Sequence, residues 1–193
     1  MGCDIHLYKE KFVDGKWLTA DEWVGYDYGD DEKGQEVPYE KRYTDRNYNL
    51  FGILAKGVRR DFDFAFEPRG FPFNSGAEIA AESEGYGSDG HSHSYLYLHE
   101  LKDMQSFLAA HTIPISGMKD AEELAALQAT IDAGAPNWDL LYPYCQMTTD
   151  TRAVLFEIQV PASFIVGFGL DKIINSFDGI DGGNHRIIFF FDN

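Results

Sequence analysis

The chain has 193 residues, of which 44% are hydrophobic and 15% aromatic, a composition typical of a folded protein. Its 32 acidic residues outnumber the 16 basic residues and leave a formal charge of -16 at pH 7. A surface of this charge repels phosphate backbones, which argues against broad binding to nucleic acid or to an anionic membrane.

The cellular compartment is predicted from two absences. No apolar run approaches the roughly 20 residues that are needed to span a bilayer. The cysteines, Cys3 and Cys145, are too few for a disulfide framework and are compatible with a reducing cytoplasm. We therefore expect a cytoplasmic protein that does not enter a membrane.

The first elements in chain order are strands. Residues 3–12 alternate between polar and apolar side chains, and Asp14-Gly15 predicts a tight hairpin turn into a second strand at 17–19. The acidic stretch 21–36 has no sustained period and predicts a solvated loop.

Helical signals follow these strands. Asp45 or Asn47 can cap a short helix that stops at Gly57. The segment 75–78 has the Ser-to-Glu spacing of a capping box and predicts a second short helix. Apolar residues at helical spacing predict a third helix that runs to about Ala110.

The last third of the chain combines one clear helix with two strands. Asp120 and Glu123 form a capping-box pattern ahead of an apolar helical stripe. Residues 153–160 alternate as a strand that Pro161 stops. The closing residues 186–193 are apolar on both faces, which suits a strand inside a sheet that is covered on both sides.

These elements together predict the fold class. Strands at both ends with helices between them indicate a single α+β domain over residues 1–193, built on a mainly antiparallel sheet with inserted helices and long loops. We expect a helical insertion at 113–151.

The stretch 88–98 is the part of the chain that is densest in reactive side chains. If a strand begins near His91, alternation places His91 and His93 on one polar face. Asp4 and His6 have the same spacing at the start of the chain. We expect these two polar faces to meet and to line one pocket.

Such a pocket predicts a metal site. Imidazoles and carboxylates bind divalent transition metals at about 2 Å, and the predicted ligands are Asp4, His6, His91 and His93. This set suits Zn, Mn or Fe as the cofactor. A bound metal lowers the pKa of its water to about 7 and generates a nucleophile. The predicted catalytic residues are Asp89, His91 and His93, with Asp89 as general base or as hydrogen-bond partner of a ligand.

Two alternatives require no metal. The spacing of His91 and His93 is weakly specific, so both can bond the backbone in a turn, while Asp4 and His6 lie on an exposed strand face. Histidines titrate near neutral pH, so they can also act as a metal-free acid and base or bind an anionic ligand.

Arg46, Tyr48 and Arg69 are the predicted substrate-binding residues. A guanidinium group can hold phosphate or carboxylate through two hydrogen bonds. Pro68 and Gly70 place Arg69 in a defined turn. The alternative is that these arginines only form ion pairs with the many carboxylates of the chain.

Several segments of the chain are distinctive enough to suggest a family. They are the start Met-Gly-Cys-Asp-Ile-His, Asp-Arg-Asn-Tyr at 45–48, Glu-Pro-Arg-Gly at 67–70, Gly-Ser-Asp-Gly-His-Ser-His-Ser at 87–94 and the final Phe-Asp-Asn. In these segments the chain resembles a family of uncharacterised bacteriophage and prophage proteins. The resemblance implies a setting, the cytoplasm of an infected bacterial host cell, and no mechanism.

Two functional hypotheses follow. The first is a small metal-dependent hydrolase that acts on a nucleotide or another phosphate ester in the host cytoplasm. The second is a non-enzymatic protein that sequesters a small anionic ligand or inhibits a host defence protein, with acidic mimicry of DNA as one route. A virion or packaging component is a third, more distant interpretation.

Overall fold

A computed structural model describes residues 2–27, 29, 33–134, 154–166, 168–177 and 184–193. The strands are β1 (Asp4–Val13), β2 (Lys16–Thr19), β3 (Val24–Asp27), β4 (Lys33–Glu36), β5 (His91–Tyr97), β6 (Thr112–Lys119), β7 (Val154–Pro161) and β8 (His185–Asp192). The helices are α1 (Tyr48–Leu54), α2 (Ala77–Gly85), α3 (Leu98–Ala110), α4 (Ala121–Asp132), α5 (Ser163–Val166) and α6 (Gly169–Asn175), with a 3-10 turn at Tyr39–Lys41.

The main sheet has four strands in the order β2-β1-β8-β5, and each neighbouring pair is antiparallel. The predicted α+β class with a mainly antiparallel sheet is therefore confirmed. The first and last strands of the chain are central neighbours, so the two ends of the sequence meet in the middle of the sheet.

The hairpin between β1 and β2 forms at the predicted turn. Asp14 and Gly15 have φ angles of 50° and 80°. Two consecutive residues at positive φ are what a two-residue hairpin turn requires, and Asp-Gly supplies them at low cost. The Asp-Gly signal was therefore sufficient to predict this turn.

The closing strand β8 is buried on both faces, as its apolar pattern predicts. On one face Phe190 packs in a core cluster with Tyr8 and Ile79. On the other face the ring of Phe191 lies 5.2 Å from that of Phe51 in α1. Because side chains pack against both faces of β8, neither face is exposed to solvent and neither has to be polar.

A buried ion pair joins β1 to β8. Glu10 and Arg186 are cross-strand partners, are 0% and 2% exposed, and are joined by a 2.7 Å contact between Glu10 Oε2 and Arg186 Nε. The backbone N–H of Gly76 donates to Glu10 Oε1 at 2.5 Å, and the Arg186 guanidinium lies 4.0 Å from the ring centroid of Trp17. Asn74 Oδ1 accepts a 3.2 Å hydrogen bond from Arg186 Nη2. Both charges are thus compensated inside the sheet.

The contacts divide the chain into two compact units, Met1–Lys102 with Lys172–Asn193, and Asp103–Asp171. In the second unit β6 pairs with β7, and its core cluster contains Leu127, Phe156, Val160 and Phe164. The single domain over residues 1–193 stays a prediction. The predicted helical insertion at 113–151 begins as the strand β6 and continues as α4, and its remainder from 135 lies outside the described residues.

The cap predictions are confirmed in two of three helices. Asn47 caps α1 through Leu50, and Asp120 with Glu123 forms a complete capping box on α4. At α2 the N-cap is Gly76 and makes no side-chain cap bond. No helix among the described residues is long and apolar enough to cross a membrane.

The acidic stretch 21–36 differs from its prediction. The described part of this stretch contains β3 and β4, which pair as a two-stranded antiparallel ribbon. A ribbon with little apolar side-chain periodicity depends on its backbone hydrogen bonds, so residue patterning alone does not reveal it.

We expect Glu10→Ala to lower the free energy of unfolding by about 3–5 kcal/mol, because the substitution leaves the buried Arg186 charge without its partner. Chemical denaturation followed by circular dichroism measures this change. Glu67→Ala is the matched control, because it removes a carboxylate from the exposed 3.0 Å pair with Lys56 and should change stability little. Equal losses in the two variants would contradict the structural importance of the buried pair.

Candidate functional site

A cleft of about 520 Å³ lies beside the first half of β1. It is lined by Asp4, Ile5, His6, Leu7, Tyr8, Tyr39, Arg42, Tyr43, Thr44, Arg46, Tyr86 and Asp192. All of these residues belong to the first compact unit. The cleft exists because β2 pairs with β1 only from Glu10 onward, which leaves the earlier part of β1 without a strand on that side among the described residues.

His6 and Asp192 form the end of the cleft that adjoins the sheet. Asp192 Oδ2 lies 3.3 Å from His6 Nε2. This Nε2 atom is buried, and it has no hydrogen-bond partner among the described residues. His6 therefore has a carboxylate neighbour but keeps unused hydrogen-bonding capacity at Nε2.

Asp4 and Arg46 form a bidentate pair at the rim. Arg46 Nε and Nη2 donate to the two carboxylate oxygens of Asp4 at 2.5 and 2.7 Å. These hydrogen bonds hold the pKa of the Asp4 carboxyl below its usual range. Asp4 is thus engaged by a cation of the chain itself and stays ionised.

Two tyrosines in the cleft have different environments. The Tyr8 hydroxyl donates to Glu82 Oε1 at 3.1 Å, whereas the Tyr43 hydroxyl is buried and has no partner among the described residues. Burial raises the pKa of Tyr43, and the nearby charge of Asp45 adds to this effect. Tyr43 therefore keeps its proton at neutral pH, and its hydroxyl is an unused donor in a residue that lines the cleft.

The predicted alternation of His91 and His93 is wrong, because β5 contains a bulge. The register shifts between His91, which pairs with Phe191, and Ser94, which pairs with Phe189. Ser92 sits at the bulge with a φ of 52°. One extra residue in a strand reverses the faces that follow it. His91 therefore stacks on Phe191, while His93 stacks on Phe190 on the opposite face of the sheet.

The structure also keeps His6 and His93 apart. Both rings stack on Phe190, at centroid distances of 4.8 and 5.0 Å, so that phenylalanine stands between them. Their strands β1 and β5 lie on either side of β8, about 9–10 Å apart given the usual strand spacing. A metal ligand must approach the ion to about 2 Å. In the described ranges no group of three or more His, Cys, Asp or Glu side chains is arranged to hold a metal ion.

His91 belongs to a separate hydrogen-bonded chain. Its Nδ1 lies 3.0 Å from Ser92 Oγ, and its Nε2 lies 3.2 Å from Asn193 Nδ2. Asn193 Oδ1 accepts a 3.0 Å hydrogen bond from Arg59, which turns the amide nitrogen towards His91. In the neutral ring Nε2 is then the acceptor and Nδ1 carries the proton. A metal ion would have to displace one of these contacts.

The other predicted residues lie outside the cleft lining. Arg69 forms a bidentate pair with Glu100 at 2.9 and 2.5 Å. Tyr48 is the first residue of α1, and the Arg59 guanidinium lies over its ring, 5.4 Å from the ring centroid. Asp89 is exposed on the turn before β5, where its N–H donates to the carbonyl of Tyr86. Of the predicted site residues, the cleft brings together Asp4, His6 and Arg46 only.

Sequence reasoning missed several residues of the cleft. Asp192 enters through the pairing of β1 with β8, which no local pattern reveals. Arg42 and Tyr43 lie in an irregular segment without periodicity. A usable signal was the concentration of tyrosines and arginines at 39–48, close to the Arg46 that had been selected.

No protein-family model, no curated protein and no solved structure matches this chain. The resemblance to bacteriophage proteins therefore stays a prediction.

We expect the stability of the protein to fall as pH drops below about 6.5, partly through His93. Burial lowers the pKa of His93, and the neighbouring His91 charge lowers it further. The unfolded chain, with its ordinary value near 6.5, then binds a proton before the folded chain does, so acid favours unfolding. Denaturation midpoints of His93→Gln between about pH 7 and 5.5 should depend less on pH than those of the parent.

The matched control for this measurement is His99→Gln, which changes an exposed histidine two residues beyond the end of β5. Its pH dependence should follow the parent. An unchanged slope in His93→Gln would contradict the assignment.

Proposed function

We propose that this protein binds a small anionic ligand in the cleft beside β1. The observation that carries the proposal is that Tyr43 and His6 both line this one cleft and each has a buried polar atom, Tyr43 Oη and His6 Nε2, without a hydrogen-bond partner among the described residues. Leaving such an atom unsatisfied costs about 1–3 kcal/mol. A ligand that bonds to both atoms recovers this cost.

The preference for an anion comes from the two arginines of the cleft. Arg46 uses Nε and Nη2 for Asp4, and Arg42 uses Nε for the Val37 carbonyl and Nη2 for Glu36. In the described part of the chain the third nitrogen, Nη1, of each guanidinium has no hydrogen-bond partner. A carboxylate or phosphate can accept from these nitrogens without breaking either existing pair.

Aromatic side chains favour a ligand with a flat or apolar body. Tyr39, Tyr43, Tyr86 and His6 line the cleft, and Tyr39 is 72% exposed. Rings of this kind add contact area at low entropic cost. Benzoate and phenyl phosphate, with an anionic group on one ring, are the simplest probes of this chemistry.

We expect Tyr43→Phe to weaken binding of benzoate or phenyl phosphate about two- to tenfold, because it removes one hydrogen bond. In the ligand-free protein the same substitution should leave stability unchanged or raise it, since it removes a hydroxyl that is buried without a partner. Isothermal titration measures the affinity, and thermal unfolding measures the stability.

Tyr97→Phe serves as the matched control, because it removes a hydroxyl outside the cleft, where the Tyr97 ring stacks on His99. Benzyl alcohol, which lacks the charge, controls for the anion. Full binding by Tyr43→Phe, or equal binding of benzyl alcohol and benzoate, would contradict the proposal.

Metal-dependent hydrolysis is a second proposal for the same end of the sheet. It is favoured by the carboxylate of Asp192 beside the His6 imidazole, an arrangement used to orient a ligand or a base. Asp4 would have to leave Arg46 to join them.

Elemental analysis of the untagged protein tests this second proposal. Zn, Mn or Fe in stoichiometric amount, lost in His6→Ala and kept in His99→Ala, is the expected result. Stoichiometric metal that persists in His6→Ala, or no metal at all, would contradict it.

A further inference from the structure

The open edge of β1 has a defined direction of hydrogen bonding. The backbone N–H and carbonyl of Lys9 point away from β8. The N–H donates to Asp21 Oδ2 at 2.6 Å, and the carbonyl accepts from the N–H of Ala20 at 2.8 Å. Successive residues of a strand turn their backbone groups to alternate sides. Leu7 and Ile5 therefore turn their N–H and carbonyl groups to the same side as Lys9.

On that side Ile5 and Leu7 meet the cleft. Both residues line it, and no described residue pairs with their backbone groups. A second cavity of about 270 Å³ shares Leu7 and the segment 42–44 with the cleft. The two cavities thus share lining residues from β1 and from the irregular segment that follows the 3-10 turn, and together they are called the slot.

The slot is charged at one end. Arg46 and His6 lie at the start of β1 together with the carboxylates of Asp4 and Asp192. Arg46 binds Asp4 through Nε and Nη2, and its Nη1 has no hydrogen-bond partner in the described ranges. A strand added antiparallel to β1 would bring its own carboxyl end to this point. Antiparallel addition also continues the pattern of the whole sheet, in which every described neighbour is antiparallel.

We propose that the ligand of the cleft is the carboxyl-terminal end of an extended peptide, which adds to the open edge of β1 at Ile5 and Leu7 and places its terminal carboxylate beside Arg46 and His6. This inference rests on the proposed function and names the ligand class. Unpaired backbone groups at a sheet edge give affinity for any extended peptide, and the Nη1 donor of Arg46 at the end of the slot favours a free carboxylate.

A display library of random peptides with free carboxyl termini, selected on the full-length protein, provides the probe. The enriched peptide is then synthesised as the free acid and as the terminal amide, and binding is followed by fluorescence anisotropy. We expect the acid to bind about tenfold more tightly than the amide, as a charge-assisted hydrogen bond predicts.

Leu7→Pro tests the edge directly. Proline removes the N–H that faces the cleft and leaves the β1–β8 hydrogen bonds in place, because the Leu7 amide does not point at β8. We expect about tenfold weaker peptide binding in Leu7→Pro. Leu7→Ala, which shortens the side chain and keeps the amide, is the matched reference, and Leu7→Pro should bind the peptide more weakly than Leu7→Ala does.

A second measurement keeps the test independent of the folding of Leu7→Pro. The peptide is N-methylated at one position at a time, and binding should be lost at alternate positions only, since an added strand turns every second N–H to its partner. A uniform N-methyl profile, no enrichment from the library, equal binding of acid and amide, or equal binding of the proline and alanine variants would overturn the proposal.

The benzoate and phenyl phosphate measurements distinguish failure of the peptide assignment from failure of the proposed function. Binding of these small anions that depends on Tyr43, together with failure of the peptides, would leave the proposed function standing and overturn the peptide assignment. Failure of both probe classes would overturn both.

Discussion

The buried pair of Glu10 and Arg186 is the interaction on which the rest of the main sheet depends. The two residues face each other across β1 and β8, and a slip of one strand by one residue would put the two charges on opposite faces of the sheet. The same register brings His6 within 3.3 Å of Asp192. Through the 74–76 loop the pair also ties down the segment that leads into α2. A charge pair in the core therefore decides which side chains meet in a cleft at the far end of β1.

The parts of the fold that could be predicted are those whose signals are short in sequence. The Asp14-Gly15 turn and the caps at Asn47 and Asp120 form because their hydrogen bonds join residues a few positions apart. Strand β6 was missed because it contains Pro114 and Gly117, and proline and glycine are uncommon within strands. Among the described residues β6 pairs on one side only, and an edge strand accepts proline.

The site could be predicted only in part, for two physical reasons. Asp192 reaches the cleft because β8 pairs with β1, a strand that is far from it in the sequence. The pattern of a single sequence does not show which strands pair. The separation of His91 from His93 depends on a bulge at Ser92, a residue type that is uncommon at positive φ. Asp4 and His6, in contrast, are two residues apart on the same strand, so the alternation of β1 alone places them together, and both line the cleft.

The open edge of β1 has a consequence for how this protein can vary. Its hydrogen-bonding groups at Ile5 and Leu7 are main-chain atoms, which every amino acid except proline carries in full. Exchange of the side chains on this segment therefore leaves the edge chemically intact. Evolutionary constraint at such a place would show as the avoidance of proline, and not as the retention of any one residue.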